Sequence, residues 1–345
     1  MRALGAALAL LVACSNGSAP APTPTAASAT PPATPAAVRT GPSGNVRTER
    51  FKTAALGVEK SYVVYLPAGY ETSGKRYPVF YYLHGLGGDE TNWTEAGKIQ
   101  QAADVLELEA ILVMVDGDDA FYINGVAPVD YDKCIADGVG LFMPGHESRR
   151  TTCVRKRDYE TYITKDLIAH IDTTYRTIAS REGRAIAGLS MGGFGALHLS
   201  LRHLDLFSAA ASHSGLVSLL YGSPVPYVKG KVEPITDPKT WGGPFVEIRR
   251  WMLGLFGDDL ATWKKYDPAA LIASLEPGKL ALYIDCGTED EFLFHNQAAH
   301  IHDLLLDKKI EHEYFIGAGN HTFAFWRPRV RESLRFLRDH TSKPR

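Results

Sequence analysis

The sequence predicts an α/β fold with a mostly parallel central sheet, an antiparallel opening hairpin and helices on both faces, and three observations lead there. From about residue 45 onward, apolar runs typical of strands alternate with longer stretches of helical spacing, the signature of strands joined by crossover helices. The interior runs are apolar enough to be covered on both sides, as strands of a parallel sheet are. Glycine-rich segments follow several of these runs, where ligand-binding loops gather in such a sheet.

The chain has 345 residues, 45% of them hydrophobic and 10% aromatic, with a formal net charge of -2. That is enough apolar material for a substantial core, and it gives no overall electrostatic pull toward nucleic acid. No repeat of solenoid or propeller period is present. Met1 and Arg2 precede an apolar run to Ala13 and then Cys14, the length and order of a signal peptide and too short for a permanent membrane span. Leu11-Val12-Ala13-Cys14 resembles the lipobox of bacterial lipoproteins, which makes residues 1–13 a removed signal and Cys14 the lipid attachment point; an ordinary secretory signal is the alternative. Either reading exports the protein, membrane contact being through the anchor alone. Residues 14–44, nearly all Ala, Pro, Thr, Ser and Gly, form a disordered tether, and 45–345 the catalytic domain.

Within that domain, 47–55 and 60–66 are expected as the hairpin, turning at 56–58. Residues 77–83 and 110–115 read as buried strands with a short helix, 100–109, between them. Over 158–175 the apolar residues Tyr162, Ile163, Leu167, Ile168 and Ile171 mark one helix face. Then come strand 184–187, helix 193–202, strand 209–212, strand 280–285, helix 296–306 and strand 312–315. A terminal helix is placed over 328–339 with Pro328 in its first turn. Residues 215–279, rich in aromatics, Pro and Gly, read as a cap over the strand ends; a helical pair packed on the sheet edge is the competing reading. Cys134 and Cys153 flank a glycine-rich segment and are suited to a disulfide, whose 19-residue spacing implies roughly 3 kcal/mol of stabilisation. Cys286 reads as a buried strand residue.

Four segments carry chemistry. Gly188-Leu189-Ser190-Met191-Gly192-Gly193 follows one strand and precedes a helix, and a serine exposed on such a sharp turn needs small residues two before and two after it. His84-Gly85-Leu86-Gly87-Gly88 ends another strand. Its glycines let a loop come close to a developing oxyanion, so the oxyanion hole is assigned to the backbone N–H groups of Leu86 and Met191. A phosphate cradle would need the Lys-Ser/Thr ending that is missing here. Asp285-Cys286-Gly287-Thr288-Glu289-Asp290-Glu291 offers four acids at the end of a strand. Asp285 still lies in the strand run, whereas Asp290 follows the glycine turn and is the expected partner of a histidine. Of twelve histidines, His321 lies in the glycine-rich loop 317–323 after the last strand and completes the order Ser, Asp, His. His84 reads as support for the oxyanion loop and His213 as a candidate lining the pocket. Together these predict an α/β-hydrolase fold with Ser190 as nucleophile, His321 as base and Asp290 as orienting acid, acting on an acyl carbonyl through an acyl-enzyme. The chemistry calls for no cofactor, and no H-E-x-x-H or paired C-x-x-C pattern argues for a metal.

With these motifs, and with Val64-Tyr65-Leu66-Pro67-Ala68-Gly69-Tyr70 before them, the chain resembles the esterase D family along nearly the whole domain. That family includes S-formylglutathione hydrolases, feruloyl and acetyl-xylan esterases and the antigen 85 mycolyltransferases. The resemblance implies a serine esterase with nucleophile, acid and base at Ser190, Asp290 and His321. It also implies a loop at 116–124 near the site, with Phe121 and Tyr122 as pocket residues. An exported enzyme fits feruloyl or acetyl esters of polysaccharides better than cytoplasmic formylglutathione. A mycolyltransferase-like acyl transfer, or a non-catalytic binding protein on a hydrolase scaffold, are the alternatives. Oligomeric state is not legible.

Overall fold

The computed structural model describes residues 43–141, 148–242 and 246–345, which belong to one compact unit, Gly41–Arg345. The expected signal segment, Cys14 and the tether up to residue 42 lie outside the described residues. The strands are β1 (Asn45–Thr53), β2 (Val58–Leu66), β3 (Val79–Leu83), β4 (Ile111–Val115), β5 (Arg184–Leu189) and β6 (Ala209–His213). A short ribbon, β7 (Tyr221–Ser223) with β8 (Glu233–Pro234), precedes β9 (Ala281–Gly287) and β10 (His312–Gly317). Eight of them form one sheet in the order β1-β2-β4-β3-β5-β6-β9-β10. β1 and β2 pair antiparallel, as do β2 and β4, and every later pair is parallel.

The strand period of two divides the core between the faces. On β3, Val79, Tyr81 and Leu83 join the larger cluster, while Phe80 and Tyr82 join the smaller one with Trp93, Ile99 and Leu334. Residues 159–174 are helical throughout, with a π turn at Tyr162–Leu167, and the face expected from the sequence is buried. Cys134 and Cys153 are joined by a disulfide, and Cys286 is buried in β9.

The terminal helix departs from expectation. It runs Phe323–Asp339, with Pro328 inside it rather than at its start. Thr322 caps the helix by accepting from the Ala324 N–H at 3.3 Å, and Phe325 and Trp326 are buried. Burial of that first turn and the cap outweigh the one hydrogen bond a proline removes. In the cap region, helices Val246–Phe256, Leu260–Tyr266 and Pro268–Ile272 follow the β7/β8 ribbon.

Candidate active site

β5 ends in a turn that the backbone can make only with glycine on either side of Ser190. A Cβ on Gly188 would lie 2.2 Å from the Gly192 carbonyl oxygen, and one on Gly192 would lie 2.4 Å from that of Leu83. Ser190 itself sits at φ 54, ψ -116, a conformation that costs a non-glycine residue on the order of 1–3 kcal/mol and persists only when neighbours fix it. The fixing contacts are the Ser190 N–H donating to the His213 carbonyl (2.9 Å) and the Phe194 N–H donating to the Ser190 carbonyl (3.0 Å). The helix Met191–Arg202 begins at the next residue, so the Met191 N–H is one of the donors that a helix start leaves without an intrahelical partner.

The Ser190 Oγ lies 2.9 Å from His321 Nε2, and His321 Nδ1 lies 2.6 Å from Asp290 Oδ2. β9 and the loop beyond it wrap Asp290 in donors: its Oδ1 accepts the N–H of Phe292 (3.0 Å) and of Phe294 (3.4 Å), and Cys286 Sγ in β9 lies 3.5 Å from Oδ2. His321 is clamped on its flanks. Phe292, Phe294 and Trp326 meet the imidazole edge-to-face with centroids 4.8, 5.6 and 4.9 Å away, and its backbone N–H donates to Glu291 (3.0 Å). Sequence reasoning missed this clamp because the aromatics lie on two separate segments of the chain.

The loop after β3 is equally constrained. A Cβ on Gly85 would lie 3.3 Å from Ser190 Cβ, so the backbone there passes against the serine. His84, fully buried, has Nδ1 2.8 Å from the Gly85 carbonyl and accepts the Gly117 N–H at Nε2 (2.9 Å). Asp119 accepts the Gly87 N–H at 2.6 Å. Residues 116–119 thus brace both ends of the loop that presents Leu86. Behind them, Lys60 is sealed between Asp116 (2.5 Å) and Asp118 (3.0 Å).

Ser190, His321, Leu86 and Met191 open into a cavity of about 810 Å³. Its walls are largely aromatic and aliphatic: Phe121, Trp241, Phe292, Phe323 and Trp326, with Leu216 and Ile248 from the cap segment. No Asp, Glu, Lys or Arg is among the described residues that line it. The cap segment therefore walls the site, as expected from the sequence. Among the described residues no group of three or more His, Cys, Asp or Glu is arranged to hold a metal ion.

Two expected pocket residues are elsewhere. Phe121 lines the cavity, but Tyr122 is fully buried beneath it, donating its hydroxyl to the His84 carbonyl (3.0 Å). Both residues have positive φ, and the Tyr122 ring fills a slot left by the missing side chains of Gly117 and Gly195. His213 does not line the pocket either. It is fully buried on β6, where Asp285 on the neighbouring strand holds its Nδ1 and Ser333 its Nε2, all at 2.9 Å.

Comparison with known proteins yields consistent matches. The family model described as Esterase matches residues 53–337. An esterase of Mycobacterium tuberculosis is 35% identical over 174 residues, 49% of this chain and 32% of that protein, so the chain spans about a third of that relative's length. An endo-1,4-beta-xylanase/feruloyl esterase of Xylanibacter ruminicola is 30% identical over 200 residues, 57% of this chain and 23% of that protein. The solved structure of an S-formylglutathione hydrolase from Agrobacterium tumefaciens superposes with a TM-score of 0.64 over 88% of this chain and 98% of that one, at 20% identity. That likeness shows the α/β-hydrolase fold.

Proposed function

The chain belongs to the Esterase family, and from that premise we propose that it is a serine carboxylic-ester hydrolase using Ser190, His321 and Asp290. The observation that carries this reading is the continuous chain of contacts from Ser190 Oγ through His321 to Asp290, 2.9 and 2.6 Å, ending in the large cavity. His321 takes the proton from Ser190 as Oγ attacks the ester carbonyl, and the N–H groups of Leu86 and Met191 hold the oxyanion. The imidazolium then protonates the leaving alcohol. Water, deprotonated in turn by His321, releases the acid and restores the serine. Asp290 holds Nδ1–H throughout and stabilises the imidazolium. No step calls for a cofactor.

The substrate that fits best is a neutral ester with an aromatic acyl group of the feruloyl kind, carried on a saccharide. Aromatic walls favour a ring, and a small acetyl group would leave about 810 Å³ largely unfilled. Glutathione esters carry carboxylates and an ammonium, and the described lining holds no Asp, Glu, Lys or Arg to pair with them. The feruloyl esterase named among the relatives is in keeping with this reading. Its site of action is outside the cytoplasm, on the strength of residues 1–14, with Cys14 as the lipid anchor. Among the described residues, no helix is long and apolar enough to cross a membrane.

The test is hydrolysis of methyl ferulate, p-nitrophenyl acetate and butyrate, acetylated xylan and S-formylglutathione by the purified protein, with Ser190→Ala as control. Methyl ferulate turned over by the wild type alone, with the highest kcat/KM of the panel, is the expected outcome. Inert protein that also resists a fluorophosphonate probe would overturn the esterase reading.

A further inference from the structure

A second acid–histidine pair lies in the sheet behind the nucleophile, and the mechanism makes no use of it. β6 runs between β5, which delivers Ser190, and β9, which leads to Asp290, and it carries neither group. At its end, His213 stands opposite Leu189 on one side and Asp285 on the other. The His213 carbonyl accepts the Ser190 N–H, and its side chain is anchored to Asp285 and Ser333. Asp285 also receives the hydroxyl of Tyr283 (2.8 Å) and Nε of Arg329 (3.2 Å). Burial works to raise its carboxyl pKa, but His213, Arg329 and Tyr283 together hold it below the usual carboxylate range.

The stitching continues toward the base. The Ser214 N–H donates to the Asp285 carbonyl (2.8 Å), Ser214 Oγ accepts from Trp326 Nε1 (3.0 Å), and the Trp326 ring is one of those clamping His321. Three strand ends and the first turn of the terminal helix therefore converge on one fully buried pair. An apolar pair of similar volume would cost less to bury. Hydrogen bonds, unlike apolar contacts, hold strand ends at fixed separations, and a displacement of about 1 Å at reacting groups can cost on the order of 10²-fold in rate.

We propose that His213, anchored by Asp285, is a positioning residue: it sets Ser190 at its working distance from His321 by holding the carbonyl that anchors the Ser190 N–H. This inference rests on Ser190 being the nucleophile. His213 contacts neither the cavity nor the reacting atoms, so its effect belongs in kcat and not in KM.

The experiment is active-site titration with a fluorophosphonate, followed by steady-state kinetics per titrated serine, on wild type, His213→Leu and His213→Gln. Leucine removes both side-chain bonds; glutamine keeps a donor for Asp285. The expected result is a kcat per titrated serine lowered by on the order of 10- to 100-fold in His213→Leu, with KM within about 2-fold of wild type and partial recovery in His213→Gln. A lower melting temperature and a smaller titratable fraction, with wild-type kcat per titrated serine, would assign the pair a purely structural role and overturn the proposal. If His213→Leu does not fold, His213→Gln decides alone: a loss of about 3-fold or more in kcat supports positioning, and wild-type kcat overturns it. Failure of the wild type to be titrated at Ser190 would instead sink the esterase reading itself.

Discussion

His321 with Asp290, and His213 with Asp285, are the same two groups in two settings. Each histidine holds its acid through Nδ1, at 2.6 and 2.9 Å, and each has Nε2 2.9 Å from a serine Oγ, Ser190 in one case and Ser333 in the other. By side-chain geometry alone the described residues contain two Ser-His-Asp constellations. One sits on loops beyond the strand ends, with its serine on a strained turn at a cavity. The other lies inside the sheet, between the rings of Trp93 and Tyr283, and is wholly inaccessible. What separates a proposed catalytic site from a structural clamp is access for an acyl group and the N–H donors facing it, not the three side chains.

Replacing the acid in each setting is the most severe way to break the comparison. Asp290→Asn is expected to lower kcat by about 10⁴-fold, because an amide can hold the wrong tautomer of His321, while the fold survives. Asp285→Asn should do the reverse in emphasis: unfolding stability in urea falls by roughly 3–5 kcal/mol, since His213 and Arg329 lose a buried counter-charge. If instead Asp285→Asn removes four orders of magnitude in kcat and Asp290→Asn only destabilises, the two roles have been assigned the wrong way round.

How far the sequence foretold this contrast follows from where each residue sits. Ser190 and His321 were legible because the glycines that permit their loops lie beside them in the chain. Asp290 was separable from Asp285 because one follows a glycine turn and the other still belongs to an apolar strand. The strands and their order of alternation with helices were legible for the same local reasons. His213 was not, since a histidine at a strand end reads alike whether it faces a cavity or a neighbouring strand; only the sheet order, which puts β6 beside β9, decides. Tyr122 failed as a pocket residue because its fate depends on Gly195, 73 positions away in sequence. The aromatic clamp on His321 and the early start of the terminal helix both depend on tertiary burial of Trp326.

A largely enclosed acid that shares its counter-charge sharpens the contrast. Asp118 shares the single Lys60 ammonium with Asp116 and accepts from the Tyr159 hydroxyl. Burial and the Asp116 charge push its carboxyl up to about 7, with Lys60 only partly opposing them. In an unfolded chain the group would titrate near the ordinary aspartate value of about 3.9. Between roughly pH 4 and 7 the folded state thus keeps a proton that the unfolded state has released, and stability is lost as pH rises through that window. Asp118→Asn removes the dependence. Its melting temperature should match wild type below about pH 4 and exceed it by a growing margin up to pH 8; a difference that stays constant with pH would refute the assignment.

The mildest test uses the serine of the buried constellation. Ser333 Oγ lies between the Tyr82 hydroxyl (3.1 Å) and His213 Nε2 (2.9 Å), and it also donates to the Val330 carbonyl (3.0 Å). Ser333→Ala leaves a hydroxyl and a ring nitrogen buried without that partner, which costs about 1–3 kcal/mol of stability. The bond from His213 Nδ1 to Asp285 stays, and with it the anchoring of the Ser190 N–H. The expected outcome is therefore a lower urea midpoint with kcat within about 2-fold of wild type, since no group that binds the transition state has changed. The corresponding change at Ser190 removes the nucleophile itself. Two alanines at serines equally distant from an acid-held histidine would then separate stability from catalysis, and a Ser333→Ala protein as inactive as Ser190→Ala would show that the sealed constellation takes part in the reaction.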